Sequence, residues 1–155
     1  MKWRMIESLT QSMIRKSKGT LNHASVFPVV ATLTALGLND NLRLVTLSGT
    51  MILDAGGRLI MPVMDWSYYR HFAIPCDRYE KLDDVDFVTF VRSIDDDIFV
   101  TWVEPKTIKD TAEYYGIGSY HSECKRAFKS ERWTLEPEHV KDISLLRDVI
   151  CQSRS

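Results

Sequence analysis

Asp54-Ala55-Gly56-Gly57-Arg58-Leu59-Ile60-Met61-Pro62-Val63-Met64-Asp65-Trp66-Ser67 is the stretch on which the fold turns. Two adjacent glycines supply the positive φ angles that a tight hairpin demands. Thr50-Met51-Ile52-Leu53 before them and Leu59-Ile60-Met61 after them are apolar, so the spacing predicts two strands joined at 55–57. Pro62 has no N–H to give to a ladder, which predicts an edge strand or a bulge there. Asp54 ends the first strand and Asp65 lies toward the end of the second. Drawn this way, two carboxylates converge at one end of a sheet. Divalent-metal phosphodiester chemistry needs that pair, because a hard cation takes oxygen ligands and stabilises charge on the phosphate.

Upstream of the hairpin, Trp3, Ile6, Leu9 and Met13 recur at helical spacing, and Lys18-Gly19 provides a stop, so residues 2–16 read as a helix. A second helix fits 25–36, with Ser25 as N-cap, Pro28 in the first turn and Gly37 at the C-terminal end. Residues 42–47 follow as a strand after the polar turn Asn39-Asp40-Asn41.

Downstream, 72–75 reads as a short strand and 77–82 as one or two helical turns. The β-branched and aromatic runs 87–91 and 98–103, on either side of Asp95-Asp96-Asp97, predict central strands. Pro105 opens a helix expected to reach Tyr115, a short strand lies near 133–135, and a last helix or turn spans 143–149. No repeat or linker interrupts the pattern, so residues 1–155 are expected to form one domain.

Composition bounds the partners. Hydrophobic residues make up 45% and charged ones 26%, enough for an ordinary core and without the signature of disorder. The longest apolar run, residues 26–38, is too short and too interrupted for a membrane span, and the N-terminus lacks the pattern of a signal peptide. A cytoplasmic location is expected, and three scattered cysteines without a CxxC pair agree with reduced thiols. His121 and Cys124 have ligand-like spacing, but a structural zinc site needs a second pair.

The formal charge is −1, so any grip on nucleic acid must come from local asymmetry. Basic residues gather at Lys2, Arg4, Arg15, Lys16 and Lys18, and again at Lys125, Arg126, Lys129 and Arg132. Either group is a solvated face or a phosphate grip. The aromatic cluster Trp66, Tyr68, Tyr69 and His71, with Arg70, offers rings that stack on unpaired bases or simply fill core and surface positions of a strand. Asp95-Asp96-Asp97 lacks the spaced ligands of a calcium loop, and neither a nucleophile elbow nor a phosphate-cradling Gly-rich loop is present.

An acid, a β-turn and then an acid-x-lysine on the next strand form the motif of the restriction-endonuclease-like, or PD-(D/E)xK, nucleases. The segment around Asp54 and Asp65 resembles it, as does the passage through Tyr79-Glu80-Lys81-Leu82 into Phe87-Val88-Thr89-Phe90-Val91. The likeness covers roughly residues 50–150. It implies an α/β fold with a mixed central sheet flanked by helices. It also implies DNA as partner and magnesium as cofactor, with Asp54 and Asp65 as catalytic and metal-binding residues. Trp66, Tyr68, Tyr69 and Arg70 would then contact nucleic acid.

The motif lysine is missing: Ser67 stands in its place, and serine cannot supply the cation that orients the attacking water. Lys81 or Arg58 would have to substitute. Otherwise the site is degenerate, a pseudoenzyme kept as a binding scaffold, or the two aspartates are ordinary turn and strand-end residues. The alternative from another class is a non-catalytic interaction protein, such as a small regulator from a mobile element, that meets a protein partner or a second copy of itself in a homodimer.

Overall fold

A computed structural model describes residues 1–37, 42–65, 70–121 and 126–152. In chain order the elements are α1 (Trp3–Lys16), α2 (His23–Leu36), β1 (Leu42–Leu47), β2 (Thr50–Ala55), β3 (Arg58–Asp65), β4 (Phe72–Pro75), α3 (Cys76–Tyr79), β5 (Phe87–Ile94), β6 (Asp97–Val103), α4 (Pro105–Thr111), β7 (Glu113–Tyr115), β8 (Tyr120–His121), β9 (Arg126–Ala127), β10 (Arg132–Leu135), β11 (Lys141–Asp142) and α5 (Ile143–Gln152). A six-stranded sheet has the order β1-β2-β3-β5-β6-β11. All its neighbours are antiparallel except β3 and β5, so the expected mixed sheet flanked by helices is present.

Strand alternation divides the core into two layers. On one face Leu53 and Ile60 meet Val29 and Leu36 of α2 and Leu146 and Ile150 of α5. Next to them Val91 and Val100 meet Ile6 of α1 and Val26, Phe27 and Val30 of α2. On the other face Ile52, Met61, Val88 and Phe90 pack against Phe72 and Ile74 of β4, Ile108 of α4 and Leu135 of β10. Here the three-stranded sheet β4-β10-β7 serves as the cover.

α2 is buried along most of its length, which is why its sequence is apolar all round rather than striped. Each fully buried Val, Leu or Phe contributes roughly 1.5–3 kcal/mol of transfer free energy. Where α2 brings a polar side chain to the sheet, Thr32 Oγ1 meets Thr89 Oγ1 at 2.9 Å and the two satisfy each other.

Several expectations shift by local chemistry. The N-cap of α2 is Asn22, whose side chain accepts the Ser25 N–H at 3.0 Å; Ser25 lies inside the helix, and Pro28 falls in the second turn. α4 stops at Thr111, because residues 113–115 are taken as a strand by β10. The turns expected at 77–82 are split between α3 and a 3-10 turn at Leu82–Asp84. β5 and β6 are interior strands of the large sheet, as their composition predicts.

Pro62 has a specific effect. β3 is an interior strand, not an edge, yet its pairing with β2 ends at Leu53–Ile60, just before Pro62. Beyond that point β2 continues to pair with β1 and β3 with β5, so the sheet forks. A cavity of about 200 Å³ opens in the fork, lined by Thr50 and Met51 on one side and Pro62 and Met64 on the other. Arg78 of α3 also lines it and donates from Nη1 to Thr50 Oγ1 at 2.9 Å.

Candidate functional site

Asp54 sits at the closed end of the β2–β3 hairpin, opposite Leu59. Its carboxylate accepts the Gly57 N–H at 2.7 Å and the Arg43 Nε–H at 3.0 Å. The Gly57 amide and the Arg43 side chain together hold its pKa below the ordinary value of 3.8. This is a turn-fixing aspartate with its charge already matched.

Asp65 ends β3, six residues beyond Leu59. At about 3.3 Å per residue the two aspartates stand about 20 Å apart along the strand. They share a face of the sheet but do not converge, so one ion cannot be held by both. The expectation of a common metal centre is corrected here: a hairpin that turns at Gly56-Gly57 brings Asp54 level with Leu59, not with Asp65.

Asp65 is fully enclosed, with 0% of its side chain exposed, and lies 2.6 Å from Arg92 Nη2. Parallel pairing sets Asp65 beside Arg92 directly. The same guanidinium donates to the His71 carbonyl at 2.8 Å and lies over the Phe72 ring, 4.0 Å from its centroid. Asp65 also receives the Ala73 N–H at 3.4 Å, and His71 Nε2 meets Glu136 at 2.7 Å. Asp65, Arg92, His71 and Glu136 thus form a clamp that ties the end of the large sheet to the small one. A divalent cation at Asp65 would sit against a permanent positive charge, a repulsion that low local dielectric strengthens.

The proposed cationic partners are elsewhere. Arg58 projects from the opposite face to Asp54 and lies 5.0 Å over the Phe87 ring. Lys81 donates to the Asp77 carbonyl at 3.2 Å. Arg70 is exposed next to His71. Trp66, Ser67, Tyr68 and Tyr69 lie outside the described residues, as do Cys124 and the His121 side chain. Glu7 pairs with His23 at 2.7 Å. Among the described residues no three of His, Cys, Asp and Glu come together as a metal-binding group. The Cys76 thiol is pushed up by burial and by the surrounding acids Glu131, Glu80 and Asp77, which keeps it protonated and unreactive.

A different region collects exposed aromatic and basic side chains. After β7 the chain turns through Ile117-Gly118 and runs out and back as the β8–β9 pair. Gly118 N–H to Phe128 carbonyl (2.8 Å) and Phe128 N–H to Ser119 carbonyl (2.9 Å) fasten its base. Ile117 is 73% exposed and Tyr120 63%, and Tyr114 is also exposed. At the foot of this arm a pocket of about 120 Å³ is lined by Ala127, Phe128, Lys129 and Arg132. Arg132 lies 5.9 Å from the Phe128 ring centroid. The nearest acid in sequence, Glu131, is turned away and accepts the Tyr114 hydroxyl at 2.8 Å. Trp133 stacks on Tyr79 at 4.0 Å behind it. Lys129 and Arg132 carry the basic signal visible in the sequence, whereas Tyr114 and Tyr120 give no motif to find.

The chain matches no protein-family model, no curated protein and no solved structure. Among the described residues no helix is long and apolar enough to cross a membrane.

Proposed function

We propose that this chain is a nucleic-acid-binding protein that grips phosphate with Lys129 and Arg132 and does no hydrolysis at Asp54 or Asp65. One observation carries the reading: Lys129 and Arg132 line a phosphate-sized pocket into which no carboxylate of the described residues enters, with Tyr114 of β7 and Tyr120 of β8 exposed. Cations follow a nucleic-acid backbone while aromatic faces stack on its bases, and this combination favours single strands. The restriction-endonuclease-like likeness is compatible with such a role, as a scaffold whose two motif acids are occupied by Arg43 and Arg92. Fold resemblance alone does not confer chemistry.

Fluorescence anisotropy with single-stranded and duplex oligonucleotides tests the proposal. Binding is expected at about 50 mM salt and weakens steeply as salt rises. Lys129→Glu and Arg132→Glu each lower affinity at least about tenfold, and each reduces the salt slope by about one. Lack of binding, or binding indifferent to both substitutions, rejects it. Cleavage of either DNA with magnesium or manganese, lost in Asp65→Ala while the circular dichroism spectrum is kept, would restore the nuclease reading.

A second reading, contact with another protein, is favoured by the apolar residues Trp3, Met5 and Leu9, which α1 exposes.

A further inference from the structure

The two edges of the large sheet differ sharply. One edge, β11, is two residues long and consists of Lys141 and Asp142, a short charged strand of the kind that blocks further pairing. The other, β1, is six residues of Leu-Arg-Leu-Val-Thr-Leu with no strand on its outer side among the described residues. Its composition suits pairing, and the usual defences of an edge are missing: no proline, no lysine and no bulge in its register with β2. Its one charge, Arg43, is matched within the chain by Asp54 at 3.0 Å. On the helix face Leu42 and Leu44 follow one another along this edge, and Leu44 is 39% exposed. Leu42 also forms part of a groove of about 410 Å³ with Leu9 and Met13 of α1 and Leu33 of α2.

We infer that β1 is the interface of a two-fold homodimer, in which β1 of one copy pairs antiparallel with β1 of a second and the sheets become continuous. The occupant follows from charge and symmetry. The edge is neutral overall, so it selects neither an acidic nor a basic strand, and a second β1 matches it in both apolar pattern and length. A two-fold contact uses the same edge twice and closes. A head-to-tail contact would require β11, which is short and charged, so open filaments are disfavoured.

Keeping the helix faces of both copies on the same side restricts the register, because residues opposite each other in a ladder share a face. Centred on the dyad, Leu44 meets Leu44 of the second copy and Leu42 meets Thr46. On the reverse face Arg43 meets Val45, so no arginine faces its counterpart.

Sedimentation velocity over a concentration series reads the oligomer, and a dimer that dissociates on dilution is expected. Leu44→Lys is expected to be monomeric at every concentration with an unchanged circular dichroism spectrum, and Thr46→Lys provides a second lesion on the same face. The register has its own readout in a Cys76→Ser, Cys124→Ser, Cys151→Ser background. There Leu44→Cys forms a covalent dimer on mild oxidation, since residues facing across a ladder lie within disulfide reach, whereas Arg43→Cys does not. A monomer at the highest concentration, or a dimer undisturbed by both lysine variants, overturns the inference. Equal cross-linking at positions 43 and 44 overturns the register.

Discussion

Removing Arg92 would take its guanidinium from the enclosed Asp65 carboxylate, whereas removing both would leave no buried charge, only packing and the neutral Ala73 N–H and His71 carbonyl to re-satisfy. The expected outcome is asymmetric. Arg92→Met lowers unfolding stability by roughly 3–5 kcal/mol, whereas Asp65→Leu with Arg92→Met costs much less than that, because a buried pair is expensive chiefly when broken. Urea titration of the two variants checks it, and equal losses would show that the pair is not coupled. Asp54 behaves differently because it lies at the surface end of the hairpin. Its pKa, held down by the Gly57 amide and Arg43, is below the ordinary 3.8 in the folded chain. A folded value below the unfolded one contributes stability above pH 3.8 that is lost as pH falls through the folded value. Asp54→Ala is therefore destabilising near neutral pH, and the gap from wild type closes in acid, as urea midpoints at the two pH values would show.

Elements fail for reasons their own ends explain. Gly57 has φ +93° and open space where a Cβ would point, so Gly57→Ala carries a backbone penalty only, about 1 kcal/mol. Asn22→Ala removes the side-chain N-cap of α2 and costs about 1 kcal/mol as well, both read as shifts in thermal midpoint. The hairpin, β5, β6 and the two N-terminal helices were legible because each carries its period and its terminator in local sequence. β7, β8, β9 and β11 are two or three residues long, too short for alternation to register, and β7 is a strand only because β10 pairs with it. The candidate site was harder still. Asp54 and Asp65 could be recognised as strand-end acids, but their separation depends on register, and their charge balance depends on Arg43 and Arg92 in neighbouring strands. Arg92 had a signal of its own: a lone charge inside the apolar run 87–94 calls for a buried partner.

At the scale of the molecule, the pocket lined by Lys129 and Arg132 stands beside the small sheet and the open edge on the far strand of the large sheet, so variants of one report separately from variants of the other. The fork at Pro62 has a further consequence for how the native state fluctuates. The β1–β2 unit is joined to β3 by only three residue pairs, Leu53–Ile60, Asp54–Leu59 and Ala55–Arg58, while β3, β5 and β6 are zipped along nearly their whole lengths. Such a unit opens on its own, at a free energy below that of global unfolding. Native-state hydrogen exchange should therefore resolve two classes of amide. Those of β5 exchange only with complete unfolding, and those linking β2 to β3 exchange earlier, through a partial opening that leaves the rest of the sheet intact; the β1–β2 amides follow, because a detached two-stranded hairpin is only marginally stable. Pro62→Val, which returns an N–H to β3 where the ladder stops, is expected to slow that early class selectively.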